Sequence, residues 1–233
     1  PAAAIATASV TGDSAALFSL VDELAGRLLA HLLEGRDREL TQLAAVTTSS
    51  LPALKAYLRG ERAMREGRDA AAAAAFREAV AEDPTFALAW YRIAILSSWV
   101  VIPGIAEPLT AISRAEAHAD RLTPLGRDLV HAFLLYRQGD FAVREAYRRI
   151  VLGSPDNLEA WYMLGESEFH LGPLAGHPAT DARASFERVL ALQPSNPHAL
   201  VHLARLAARE RKADEVAAYL ARLMAADTSA DRI

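Results

Sequence analysis

Residues 58–84, "LRGERAMREGRDAAAAAAFREAVAEDP", decide the fold of this chain. The stretch is rich in alanine, which favours helix because alanine loses no side-chain entropy there. Pro84 lacks a backbone N–H and clashes with the preceding turn, so it ends a helix. Gly60 and Ala79 allow two helices to approach closely, and Phe76, eight residues before Pro84, fills the space between them. The stretch therefore predicts a pair of packed helices.

The same pattern recurs along the chain. An aromatic residue precedes a proline by eight residues, and a large apolar residue follows that proline by six. In the order aromatic, proline, apolar, the three instances are Phe76, Pro84 and Trp90; Tyr147, Pro155 and Trp161; and Phe186, Pro194 and Leu200. Glu116 takes the aromatic position before Pro124. A pattern that returns at about 34 residues is typical of stacked helix-turn-helix repeats.

These residues resemble the tetratricopeptide repeat family. "WYMLGESEF" at 161–169 matches the W-x2-L-G part of its signature, with Glu168 in place of the signature tyrosine. The resemblance implies an all-α, right-handed superhelical solenoid of about five helix-turn-helix units. The units are expected to begin near Ala53, Ala87, Leu125, Leu158 and Pro197. Insertions enlarge the turns of the second and fourth units, in "SSWVVIPGIAEP" (97–108) and "HLGPLAGHPAT" (170–180).

The insertion of the second unit is strongly apolar. We predict that residues 87–100 form an extended helix and that the remainder is a turn. Leaving Trp99, Val100, Val101 and Ile102 in water would forgo about 1.5–3 kcal/mol each, so we expect them to be buried, within this chain rather than against a partner. The apolar run between Arg92 and Glu107 is shorter than the about 20 residues of a spanning helix, so no membrane span is expected.

The N-terminal part differs from the repeats. "IATASVT" (5–11) alternates like a short strand, and "DSAALFSLVDELAGRLLAHLLEG" (13–35) is an amphipathic helix. This helix and "VTTSSLPALKAYLRGERAMREG" (46–67) resemble bacterial multidomain signalling proteins of the serine/threonine kinase or cyclase type, in which a TolB-like domain precedes tetratricopeptide repeats. The implied division is 1–35 for the end of a TolB-like domain, 36–52 for a connecting helix and linker, and 53–233 for the repeats.

Composition and charge exclude several classes of function. The chain has no cysteine, which excludes disulfides and thiolate chemistry, and its net charge of −4 gives no general attraction to nucleic acid or anionic lipid. It begins with Pro1 and shows no signal peptide, so we expect a fragment or processed product. We expect a soluble domain of a bacterial protein, and leave the cytoplasm and the outer side of the inner membrane open.

Metal and catalytic motifs are incomplete. His198 and His202 are four residues apart, but a zinc-protease motif needs Glu where Ala199 stands, and no third ligand lies nearby in sequence. Glu168, His170 and His177 lie in a stretch whose glycines and prolines predict a long turn. We therefore expect no metal, no cofactor and no enzymatic activity.

In proteins of the resembling family, the first helix of each unit lines a concave groove. We accordingly predict a non-catalytic interaction scaffold that binds a peptide or partner subunit in an aromatic-lined groove, because aromatic residues and arginine dominate binding energy at interfaces. The alternatives are a structural or regulatory arm of a larger, membrane-associated complex, and an enzyme acting through the enlarged turns. The predicted partner-binding residues are Tyr57, Met64, Arg65, Tyr91, Trp99, Tyr136, Tyr162, Glu166, Phe169, His170, Arg205 and Arg209.

Overall fold

The structure is a computed structural model, which describes residue 9 and residues 48–227. This part of the chain is helical and contains no strand. Its α-helices are α1 (Leu51–Arg65), α2 (Asp69–Glu82), α3 (Ala87–Trp99), α4 (Pro108–Ala117), α5 (Pro124–Gln138), α6 (Val143–Gly153), α7 (Leu158–His170), α8 (Ala182–Leu192), α9 (Pro197–Arg209) and α10 (Ala213–Asp227). The predicted all-α, tetratricopeptide-like fold class is confirmed for the described residues.

The helices begin where the repeat pattern places them. The first helices of the five pairs start at Leu51, Ala87, Pro124, Leu158 and Pro197, each within two residues of its predicted start. Four of these helices have a side-chain cap, in which an oxygen accepts a hydrogen bond from a backbone N–H three residues on. The caps are Ser50 to Ala53 at 3.2 Å, Thr123 to Gly126 at 3.1 Å, Asn157 to Ala160 at 2.9 Å and Asn196 to Ala199 at 3.0 Å.

The recurring spacing of proline and tryptophan has a direct structural cause. The indole N–H of Trp90 donates to the carbonyl of Pro84 at 2.8 Å, and that of Trp161 donates to the carbonyl of Pro155 at 2.9 Å. A carbonyl at the end of one helix pair is thus satisfied by the first helix of the next.

In two of the helix pairs, a glycine on one helix faces a phenylalanine ring on the other and allows the two helices to pack closely. A Cβ atom at Gly60 would lie 2.5 Å from the ring of Phe76, and a Cβ atom at Gly165 would lie 2.7 Å from the ring of Phe186. Both rings are fully buried. The prediction that small residues allow close approach around a filling aromatic ring is confirmed at both crossings.

The chain divides into two compact units, Pro1–Leu134 and Leu135–Ile233, which we describe separately as unit 1 and unit 2. The core of unit 1 includes Tyr57, Phe76, Phe86, Ile93 and Phe133, all nearly inaccessible to solvent. The core of unit 2 is a cluster on α7, α8 and α9 that contains Phe169, Phe186, Val189, Leu200, Leu203 and Leu206.

The two enlarged turns are present, but the first is more exposed than predicted. Helix α3 ends at Trp99, and residues 100–107 form no helix. Val101 is 99% exposed and Trp99 is 44% exposed, so the expectation of intramolecular burial is wrong for these two residues. The reason is that α3 and α4 bury other apolar residues, such as Ile93 and Ile112, while the helix ends at Trp99 and Val100 is extended. Residues 170–180 contain short 3-10 turns, as the predicted long turn requires.

The predicted strand (5–11), apart from its exposed Ser9, and the predicted helix (13–35) lie outside the described residues, as does most of the linker (36–52). The division of the chain at residues 35 and 52 therefore stays a prediction. Among the helices that the structure describes, none is both long and apolar enough to cross a membrane.

Candidate functional site

Two of the predicted groove residues of unit 1 lie in its core. Tyr57 is 1% exposed and its ring lies 5.7 Å from that of Phe76 and 5.1 Å from that of Phe86. Tyr91 is 3% exposed and meets Phe133 edge-on at 5.8 Å. The structure corrects the sequence prediction at both positions, because neighbouring helices cover these rings and leave no surface for a partner.

The other predicted residues of unit 1 are more accessible. Met64 is half-buried, while Arg65 and Trp99 are exposed. In the same unit, the guanidinium of Arg92 forms an ion pair with Glu61, with 2.5 Å between Nε and Oε1. Because both partners are largely buried, this pair acts within the unit and gives a partner no charge to bind.

In unit 2, by contrast, the predicted residues gather around Glu166. We define the Glu166 cluster as Tyr136 on α5, Tyr162, Glu166, Phe169 and His170 on α7, and His202, Arg205 and Arg209 on α9. All seven predicted site residues of unit 2 belong to it. Sequence analysis did not include His202, although its spacing from His198 had drawn attention to it.

Glu166 lies at the centre of the cluster and is fully buried. Its Oε1 is 2.7 Å from Nε2 of His202, and its Oε2 is 3.6 Å from Nε2 of His170. The hydroxyl of Tyr136 lies 3.5 Å from Oε2, and that of Tyr162 hydrogen-bonds the same carboxylate. Side chains from three helices thus converge on one buried carboxylate.

The contact between Glu166 and His202 is short but poorly directed. Although Nε2 of His202 approaches Oε1 of Glu166 to 2.7 Å, this Oε1 has no hydrogen bond from any described residue. Nδ1 of His202 is likewise buried without such a partner. Buried polar atoms are almost always hydrogen-bonded, so these two atoms are the unusual feature of the cluster.

Burial and charge control ionisation in the cluster. Burial raises the pKa of Glu166, but the close contact and charge of His202 and the charge of His170 outweigh it and hold the pKa below its ordinary value. Burial lowers the pKa of His170 and outweighs the raising effect of the Glu166 carboxylate, and the charges of His202, Arg205 and Arg209 lower the pKa further. Glu166 is therefore ionised and His170 neutral at pH 7.

Aromatic rings hold the cluster in place. The imidazole of His202 stacks on the ring of Phe186, with centroids 4.6 Å apart and planes 10° apart. Phe169 meets the imidazoles of His170 and His202 edge-on, each at 4.9 Å. The guanidinium of Arg209 covers Phe169 at 4.5 Å from the ring centroid. The cluster consequently has a rigid aromatic interior, with charged groups at its exposed rim.

A second polar network in unit 2 links neighbouring helices and stabilises their packing. Arg144 bonds Glu168 at 3.2 Å and Asp181 at 2.9 Å, and the hydroxyl of Ser185 donates to Glu168 at 2.7 Å. Glu168 is 4% exposed. This network ties α6 to α7 and to the enlarged turn before α8, which explains why a carboxylate is tolerated at the tyrosine position of the repeat signature.

Helix pairs with capped first helices, glycine–phenylalanine crossings and proline–tryptophan hydrogen bonds define a helical-repeat protein. Residues 129–176 and 175–231 match the tetratricopeptide repeat family model. The chain carries tetratricopeptide repeats across this region. Such repeats in general bind protein partners, which supports a protein-interaction scaffold.

Comparison with other proteins adds distant structural neighbours. No curated protein sequence matches the chain significantly. A crystal structure of MamA is 13% identical, with a TM-score of 0.44, and the match covers 75% of this chain and 97% of that one. A double mutant of MamA RS-1 is 15% identical, with a TM-score of 0.46, and covers 78% and 98% of the two chains.

Proposed function

We propose that unit 2 binds a segment of a partner protein on the exposed rim of the Glu166 cluster. The observation that carries this proposal is the position of Arg209 over Phe169, 4.5 Å from the ring centroid, beside the exposed side chains of His170 and Arg205. Arginine and aromatic residues provide most of the binding energy at protein interfaces.

The chemistry of this rim favours an acidic segment. Arg205 and Arg209 are both exposed on α9 and one turn apart, and the compensating carboxylate of Glu166 is buried beneath them. Carboxylates of a partner would pair with these guanidinium groups, and its apolar side chains would contact the half-buried Tyr162, while Phe169 lies buried beneath Arg209. Since the rings are already held by packing, little ordering entropy is lost on binding.

The alternative function, an arm of a larger complex, has support from unit 1. Trp99, Val101 and Leu109 are exposed around the first enlarged turn, at 44%, 99% and 45%. Exposed large apolar side chains that group together mark interaction sites. A permanent subunit contact would use this surface rather than the charged rim of unit 2.

Affinity capture separates the two surfaces. The full chain would be used as bait in an extract of its native source, with bound proteins quantified by mass spectrometry. We expect Arg205→Glu combined with Arg209→Glu to weaken capture of the partner by about thirtyfold or more, which corresponds to about 2 kcal/mol. The matched control Arg149→Glu reverses the charge of an exposed side chain on α6 and should leave capture unchanged.

Capture that survives both arginine reversals but is lost in Trp99→Ser would refute binding at the Glu166 cluster and support the larger-complex alternative. Equal loss in Arg149→Glu and in the double variant would show a general charge effect, and would also overturn the proposal.

The division of the full chain is a separate proposal. A linker at 36–52 between an N-terminal piece and the repeats predicts that limited proteolysis cuts there first. Mass spectrometry of the early fragments would locate the cut, and a first cut within 53–227 would contradict this division.

A further inference from the structure

Three possible metal ligands meet inside unit 2, on helices from adjacent repeats. Glu166 and His170 lie one turn apart on α7, and His202 lies on α9. A ligand atom from each of the three lies within 4.8 Å of the other two. Glu166 and His202 are buried, whereas the side chain of His170 is 46% exposed, which leaves a route from solvent to the group.

We propose that Glu166, His170 and His202 bind a single divalent transition-metal ion of the zinc class. Two imidazoles and one carboxylate form a ligand set typical of zinc, with a further position open to water or another ligand. This proposal concerns a site that the interaction function does not require, and it stands whether or not a partner binds at the rim.

The distances suit such an ion. Metal–ligand bonds of about 2.0–2.2 Å in a tetrahedral site place the ligand atoms about 3.3 Å from one another. Oε1 of Glu166 lies 2.7 Å from Nε2 of His202, and Oε2 lies 3.6 Å from Nε2 of His170, on either side of that value. Ligand atoms of all three residues lie within 4.8 Å of one another, so the side chains would adjust to surround a single ion.

The undirected contact between Glu166 and His202 is independent support. Oε1 of Glu166 is buried 2.7 Å from an imidazole nitrogen, yet accepts no hydrogen bond from the described residues. A divalent ion between Oε1 and Nε2 would give this buried oxygen the partner that the described residues do not supply, and the two atoms would move apart toward the ligand separation of a tetrahedral site. An ordinary hydrogen bond would instead place an N–H of the imidazole in line with the oxygen.

Neighbouring side chains also hold Glu166, His170 and His202 in position before any ion binds. The hydroxyls of Tyr136 and Tyr162 lie against the carboxylate of Glu166 and orient it, as outer partners of metal ligands do. Stacking on Phe186 and edge contacts with Phe169 hold both imidazoles.

Two arginines oppose a cation here, but their effect is reduced. Arg205 and Arg209 are exposed, so solvent and salt screen their charges. The buried carboxylate is closer to the site than the water-facing guanidinium groups, and its charge is screened less. The expectation of no metal considered the pair His198 and His202, and the structure instead brings His202 together with ligands from α7.

Metal titration of the full chain tests this site. After treatment with a chelator and dialysis, Zn²⁺ added as chloride is expected to bind at one ion per chain in calorimetry. Co²⁺ is expected to give the visible absorption of a four-coordinate ion. His170→Ala removes an exposed ligand and should weaken binding by at least about tenfold, since loss even of an outer partner costs about 10–100-fold. Glu166→Gln should remove the Co²⁺ absorption.

His198→Ala is the matched control, because it removes an exposed histidine from α9 that lies outside the group of three. It should bind Zn²⁺ like wild type. No binding by wild type, or equal weakening in His198→Ala and His170→Ala, would overturn the proposal, the latter showing adventitious binding by surface histidines. Circular dichroism of each variant checks its fold, and the comparison of the two exposed histidines decides the question even if Glu166→Gln unfolds.

Discussion

Replacing Gly165 by leucine tests how closely α7 and α8 pack in unit 2. A Cβ atom at this position would lie 2.7 Å from Cε1 of Phe186 and 2.9 Å from its Cδ1 and Cζ. Carbon atoms normally pack about 3.5–4.0 Å apart. Phe186 is fully buried and stacked on His202, so its ring has no free space to move into. The two helices must therefore separate.

The expected loss of stability follows from two opposing terms. Overpacking of a filled core costs about 1–3 kcal/mol, and the three further side-chain carbons of leucine place this substitution at the upper end. Replacing glycine within a helix recovers about 0.8–1.0 kcal/mol. We expect Gly165→Leu to lower the free energy of unfolding by about 2 kcal/mol, which corresponds to about 4–8 °C in Tm for a chain of this size.

Urea unfolding followed by circular dichroism measures this loss. Gly153→Leu is the matched control, because a Cβ atom there has no neighbour within 4 Å, and it should be neutral or slightly stabilising. Combining Gly165→Leu with Phe186→Leu should recover part of the loss, since the smaller side chain vacates the contact. Equal urea midpoints for Gly165→Leu and wild type would refute the assigned repeat register.

Three further predictions concern other parts of the chain. Arg144→Met should lower the free energy of unfolding by about 1–3 kcal/mol in urea titrations, because the buried carboxylate of Glu168 loses a charged hydrogen-bond donor. Stability should fall on acidification in two windows, because a lowered pKa in the folded state means that the unfolded chain takes up protons more readily. The loss of stability below about pH 6.5 comes from His170 and should be absent in His170→Ala. The loss of stability below about pH 4.5 comes from Glu166 and should be absent in Glu166→Gln. Thermal unfolding measured across this pH range would test both. Trp99→Ser should leave Tm within about 1 °C of wild type, since the side chain is 44% exposed; a shift of several degrees would place it in the core.

Much of the fold was predictable because its determinants are local. Proline at a fixed distance from an aromatic residue ends one helix and sets the start of the next, and the five predicted unit starts agree with the structure to within two residues. The close crossings at Gly60 and Gly165 also follow from the repeat pattern, since each glycine faces the aromatic ring of its own helix pair.

The site was only partly predictable because burial depends on neighbouring repeats. Tyr57 and Tyr162 occupy corresponding positions in their units, yet Tyr57 is buried and Tyr162 is half-buried. The repeat pattern assigns the same position to both side chains and contains no information about what covers them. Val101 shows the same limit, because its hydrophobicity predicts burial but the path of the enlarged turn leaves it in solvent.

The sequence by itself determined the helix-turn-helix repeat, its helix boundaries and the absence of thiol chemistry, since these depend on residue type and short-range spacing. Only the tertiary structure brought His202 to Glu166, 36 residues away in sequence, with 2.7 Å between Oε1 and Nε2. No spacing within one helix specifies that contact. It arises because adjacent repeats stack, and the stacking of α9 beside α7 is set by the buried apolar side chains that both helices share.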